Sequence, residues 1–240
     1  MKKKNEESIP IKDFNEYVDF VGGIIEVIAD PQLFLFRGQL VDKPLIPKIG
    51  RLEIKDIKVF ESDLFEDFSK RYVAFSKTKY DNDLDLLALG QHYGLPTRLL
   101  DWSENALVAL WFATEKEITE PYSVVWMFMP EQDDIISTKL LDPFHLKSTK
   151  VFCPNHISQR ITAQSGWFTC HKLMNTNTFF RLETLTKYKE KLIKIKISKK
   201  LFPEIRLKLN SMGVNSSTVY PDLAGLAAHL NWKHQGKDRL

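Results

Sequence analysis

Cysteine is scarce in this chain. Two thiols in 240 residues, Cys153 and Cys170, lie without metal-ligand spacing between them. A disulfide framework is therefore not expected, and a reducing cytoplasm is the expected setting. No apolar run reaches membrane-spanning length. The N-terminus, MKKKNEESIP, turns polar after its basic start and lacks the apolar stretch of a signal peptide. Neither sign of charge dominates: 34 basic and 31 acidic residues leave a formal charge of +3, which does not by itself indicate a nucleic-acid binder. There is no GxxxxGK[ST] loop and no GxGxxG behind a strand, so ATP hydrolysis and Rossmann-type redox chemistry are disfavoured. The histidines form no zinc pattern, and no metal is expected. Internal repeats, low-complexity tracts and a persuasive linker are also missing.

A hydrophobic fraction of 43% predicts a proper core. The economical reading is one α+β domain over residues 13–232, a mixed or antiparallel sheet flanked by helices, with tails at 1–12 and 233–240. Helical spacing of apolar residues predicts a helix over 13–29, stopped by Asp30-Pro31, and an amphipathic one over 55–77. LFLFR (33–37) reads as a strand that delivers Arg37-Gly38-Gln39 at its end. YSVVWMFM (122–129) reads as a central strand, apolar on both faces. Residues 131–156 read as loop, with His145 and His156. A Ser165-Gly166 turn leads into a strand at Trp167 and Phe168. KLIKIKI (191–197) alternates, as a half-exposed strand at an edge does. A helix over 199–212 ends at Gly213, and the last helix starts at Pro221, with Asp222 in its first turn.

The stretch around which the chain is organised is LALGQHYGLPTRLLDWSENALVALWFA, residues 87–113. It reads as an apolar entry, a dense polar loop containing Gln91, His92, Tyr93, Thr97, Arg98 and Asp101, and a helix buried on every side. Buried polar groups must find partners or a ligand, so such a loop is either a site or a structural network.

Each candidate has a sharp and a bland reading. Arg37 is an anion clamp for phosphates or a buried salt bridge. Gly38 allows close approach by a ligand or by another chain segment. His92 and Asp101 can work as acid-base or orienting partners. Asp101 with Glu104 three residues on also matches a capping box, and the cap is the preferred reading. Arg98 pairs with Asp101 or covers a helix end. Gln164 bonds an amide, a ribose or its own turn. Asp222 is a carboxylate for catalysis or an acid placed by the helix dipole.

The succession Phe36-Arg37-Gly38-Gln39, QHYGLPTRLLDWSENALVALWFA, RITAQSGWF and MGVNSSTVYPDLAGLAAHL is similar to the FRG domain family across roughly residues 30–230. More distantly, the Phe-Arg-Gly strand resembles the arginine strand of the R-S-E class of ADP-ribosyltransferases. That likeness implies NAD as substrate, with Arg37 matching the phosphate-holding arginine and Thr169 the hydroxyl of the Ser/Thr strand. No ExE or QxE stands before a suitable strand end, so Asp222 stands in as the acid. The implied function is an NAD-consuming enzyme, an ADP-ribosyltransferase or NAD glycohydrolase, in a bacterial toxin or phage-defence setting. The expected catalytic residues are Arg37, His92 and Asp222. Arg37, Gly38, Gln39, Gln91, Tyr93, Arg98, Gln164 and Thr169 are the expected ligand contacts. A protein or nucleic-acid target and a cognate antitoxin are the implied macromolecular partners. The alternatives are a non-catalytic nucleotide- or nucleic-acid-binding module, with Arg37, Arg98, Arg160 and the lysines of 191–200 on phosphates, and an interaction or sensor domain.

Overall fold

The apolar segments YSVVWMF and LIKIKIS form neighbouring strands of one sheet in a computed structural model that describes residues 8–28, 32–76, 78–138, 142–155 and 159–235. The Asp30-Pro31 stop, His156 and the outermost residues of both tails lie outside that set. Seven strands are found among the described residues: β1 (Ser8–Ile11), β2 (Leu35–Gln39), β3 (Leu99–Ser103), β4 (Tyr122–Phe128), β5 (Lys150–Phe152), β6 (Gly166–Cys170) and β7 (Leu192–Ser198). Their order is β1-β7-β4-β2-β3-β6-β5. Only β1 and β7 pair in parallel; the other neighbours are antiparallel. The fold is α+β with a mixed sheet.

Two readings change at the β1 edge. Residues 8–11, expected in a solvated tail, pair along β7 from Ser8↔Lys194 to Ile11↔Ile197. Strand β7 is therefore interior rather than an edge, and its alternating lysines have another purpose. Lys194 is nearly buried, lies 2.9 Å from Asp42 and sits over the Trp126 ring at 4.8 Å. The segment 131–156, expected as loop, contains the short strand β5.

Eight helices accompany the sheet among the described residues: α1 (Phe14–Val27), α2 (Ile57–Arg71), α3 (Asp83–His92), α4 (Ala106–Thr114), α5 (Gln159–Ala163), α6 (Phe202–Ser211), α7 (Ser216–Val219) and α8 (Leu223–Gln235). Asp13 caps α1 and Asp56 caps α2, each side chain accepting from a first-turn amide. Gly213, at φ 83°, follows α6. The first turn of α8 begins after Pro221, and Asp222 caps it through Gly225 N at 2.8 Å.

One sheet face packs Phe36, Val125, Met127, Ile195 and Ile197 against α1, α4 and α6. The other buries Leu35, Leu100, Trp102, Trp126 and Phe128 under irregular segments carrying Leu45, Leu182 and Tyr188. At about 1.5–3 kcal/mol per large apolar side chain, these two layers are the main stabilising term. Helix α4 lies so close to β2 that a Cβ on Gly38 would sit 1.9 Å from Ala109 O and 2.6 Å from Ala113 N. Close approach by another chain segment, one of the two readings of Gly38, is realised here.

Strands β2 and β3 meet at a single pair, Phe36↔Ser103. Continued pairing would bring Gly38 opposite Asp101, but the strands part there. The ladder bond that Asp101 O would have accepted is supplied by Arg37 Nη1, at 2.6 Å. A gap in a sheet leaves polar backbone needing partners, and here a guanidinium supplies one.

Candidate functional site

A cleft of about 360 Å³ lies over this gap. Its walls come from β2 (Phe36, Arg37, Gly38), the C-terminal end of α3 (Gln91, His92), β3 (Asp101, Trp102, Ser103), α4 (Phe112), α5 (Arg160), the turn after it (Gln164), and Tyr220 ahead of α8. The polar stretch read as a loop is thus the end of a helix, a Gly94 turn at φ 94°, and a strand. Folding it this way puts Gln91, His92 and Asp101 beside Arg37, although 54 residues separate Arg37 from Gln91 in the chain.

Asp101 is not a helix cap. It lies within β3, and the cap of α4 is Asn105, which accepts from Leu107 N at 2.9 Å. The Asp101 carboxylate is oriented by two side chains: Gln91 Nε2 donates to Oδ1, and Arg37 Nη1 stands 3.3 Å from Oδ2. Gln91 is fixed in turn by Thr97 Oγ1, which donates to its Oε1. Arg37 lies mid-strand, opposite Trp126, rather than at a strand end. Its Nε is buried and has no hydrogen-bond partner among the described residues.

His92 is held below the ordinary histidine pKa, first by burial and then by the Arg160 charge, with Asp101 and Asp222 acting against them. A neutral imidazole beside a carboxylate and two guanidinium groups can accept a proton. Arg160 is placed by Asp222, whose carboxylate accepts from Nε at 2.8 Å and from Nη2, and by the Tyr220 ring 4.8 Å below it. The Tyr220 phenol is pushed up to about 12, mainly by burial, and stays protonated. Gln164 Nε2 donates to Val219 O at 3.2 Å, fastening this wall to α7.

Other expected contacts lie elsewhere. Arg98 is buried immediately ahead of β3. Its Nε donates to Glu61 Oε1 at 2.9 Å, Nη2 donates to Glu61 Oε2, and Nη1 donates to Pro143 O at 2.7 Å. It does not pair with Asp101. Tyr93 points to solvent at 74% exposure, edge-on to His92. Gln39 Oε1 accepts from Trp126 Nε1, beneath the sheet. The Thr169 hydroxyl is buried between Trp102 Nε1, at 3.0 Å, and His171 Nε2, at 2.9 Å, so it does not line the cleft. Asp222 reaches the cleft only through Arg160.

Among the polar wall residues, Asp101 is read from sequence mainly as a helix cap, Arg160 appears only in the phosphate-binding alternative, and Tyr220 is not singled out. For Asp101 the misleading signal was Glu104, at capping-box spacing. Arg160 and Tyr220 did lie in the quoted motifs, RITAQSGWF and STVYPDLAG, and that shared membership was the available clue.

Among the described residues, no group of three or more His, Cys, Asp and Glu side chains could hold a metal ion. No described helix is long and apolar enough to cross a membrane. No curated protein and no solved structure matches the chain. The sequence signature of the FRG domain does match, over residues 32–121. That span runs from β2 through α4 and contains Arg37, Gln91, His92 and Asp101. The segment that matches the FRG domain supplies one wall of the cleft, while α5, Gln164 and Tyr220 close it from outside the matched span.

Proposed function

We propose that the cleft binds a nucleotide and that the protein consumes NAD, as an NAD glycohydrolase or an ADP-ribosyltransferase. The observation that carries this reading is the meeting of Arg37, His92, Asp101, Arg160 and Gln164 in one hollow walled by Phe36, Trp102, Phe112 and Tyr220. The two guanidinium groups suit phosphate oxygens, and the aromatic walls suit a planar base. Asp101 replaces Asp222 as the acid, because Asp222 is committed to Arg160 and to the cap of α8.

Breaking the nicotinamide–ribose bond leaves positive charge on the ribose as neutral nicotinamide departs with the bonding pair. A fixed carboxylate stabilises that charge without reorganising. Water, or a hydroxyl or amine of a target, then bonds to the anomeric carbon, and its proton passes to a base, the role given to His92. A toxin or phage-defence setting, with a cognate antitoxin, would suit such an activity.

A second reading, nucleotide binding without turnover, is favoured by one feature: both Asp101 oxygens already have partners in Gln91 and Arg37. Incubating the purified protein with NAD, with and without cell extract, separates the two. Release of nicotinamide that falls at least ~100-fold in Asp101→Asn and in Arg37→Ala supports catalysis, that being the usual size of a lost electrostatic contribution. Binding that saturates without release supports the second reading. Binding of nucleic acid that collapses with salt, with no affinity for nucleotides, would replace both.

A further inference from the structure

On the other side of Arg160 and Tyr220 lies a second cleft, of about 400 Å³. It is enclosed by the end of α4 (Trp111, Glu115), by α6 (Arg206, Asn210) and by α8 (His229, Trp232). The two hollows share Arg160 and Tyr220 as a common partition. Helix α8 can close the outer one because Gly225 lets it lie against the preceding turn; a Cβ there would fall 1.9 Å from Tyr220 O.

Two buried polar atoms in this outer cleft have no hydrogen-bond partner among the described residues. Arg206 spends Nε on Thr114 O and Nη1 on Glu117 Oε1 at 3.0 Å, while its buried Nη2 has no hydrogen-bond partner among the described residues. His229 Nδ1 is likewise buried without a partner, and its ring stacks on Trp232 at 6.2 Å and 23°. A buried polar atom left without a partner costs about 1–3 kcal/mol, so Arg206 Nη2 fits a ligand acceptor and His229 Nδ1 fits a ligand donor or acceptor according to its tautomer. Trp111, Tyr220 and Trp232 add ring surfaces to the same space. The outer lobe therefore offers what a second nucleotide half needs: a cation, an unpartnered ring nitrogen and flat apolar walls. Arg160, at the partition and held there by Asp222, stands where a phosphate bridge between two halves would pass.

We infer that the two clefts form one groove for a dinucleotide, with the reacting half in the inner lobe over β2 and β3 and the second nucleoside in the outer lobe under α8. This rests on the nucleotide reading of the inner lobe and adds where the second half of the ligand lies. It also assigns Arg206, His229 and Trp232 to binding rather than to chemistry.

The test is titration calorimetry of the full chain with NAD, with nicotinamide mononucleotide and with AMP, repeated for Trp232→Ala, His229→Ala and Arg37→Ala. NAD should bind at least tenfold more tightly than either mononucleotide. Trp232→Ala and His229→Ala should each remove most of that advantage while leaving the affinity for nicotinamide mononucleotide within twofold. Arg37→Ala should weaken both. Thermal melts of each variant establish that it is folded; should His229→Ala not fold, Trp232→Ala, at a half-exposed position, carries the comparison. If NAD binds no more tightly than the mononucleotides, or if the outer-lobe variants weaken all three ligands alike, the extended groove is overturned and the inner site stands. If no nucleotide binds, the inner reading fails first and the groove falls with it.

Discussion

Arg37 and Arg98 stand on adjoining parts of one sheet and do different things. Arg98 is a structural ion: both of its carboxylate bonds go to Glu61, each side chain is about 2% exposed, and Phe144 lies 5.0 Å from its guanidinium. Arg37 keeps an unpartnered Nε and faces a hollow. Sequence could not tell them apart, because what separates them is the position of Glu61, 37 residues upstream on a helix whose acids looked like a solvated face. Removing one member of a buried pair strands the other charge. Arg98→Ala is expected to lose about 3–5 kcal/mol in urea unfolding, whereas Arg98→Met with Glu61→Leu recovers most of it. A single variant that is as stable as the parent would show the pair to be dispensable.

At the scale of elements, the long periodic segments were legible and the short ones were not. Helices α1, α2 and α6 and strands β4 and β7 follow from apolar spacing, since each buries one face or both over several turns or pleats. Strands β1 and β5 and helix α7 are three or four residues long, too short for a period to register, and tertiary pairing decides them. The site was legible in part. Arg37, His92 and Gln164 meet as expected, whereas Asp101 was hidden by a local pattern that a strand overrode. Gly38 is the element-scale constraint on that meeting, because it sets how closely α4 approaches β2. Gly38→Ala should cost about 1–3 kcal/mol or more, as overpacking against backbone that cannot yield, and should weaken ligand binding by shifting Arg37 beside it. An alanine variant with the parent's melting temperature and affinity would contradict that coupling.

For the molecule as a whole, acid stability is written into one buried histidine. His171 is fully enclosed and is pushed down to about 3 by burial and by the Arg37 and Arg98 charges. Its Nε2 meets the Thr169 hydroxyl, which already receives the Trp102 indole hydrogen and has its own proton to give. The folded state thus refuses a proton that the unfolded chain takes up below about pH 6.5, the ordinary histidine value. Between there and about pH 3 the unfolded state binds more protons, so stability falls as pH falls, by about 1.4 kcal/mol per pH unit from this group. Denaturant unfolding across that range should show the slope, and His171→Gln should flatten it by that amount. An unchanged slope would mean that the ring gains a proton without unfolding.

The lone Phe36–Ser103 rung divides the sheet into two rafts, β1-β7-β4-β2 on one side and β3-β6-β5 on the other. Arg37 rides on the first, Asp101 on the second, and the cleft straddles the seam. A ligand that touches both walls is expected to tie the two rafts together and so to stiffen the platform as well as the atoms it contacts.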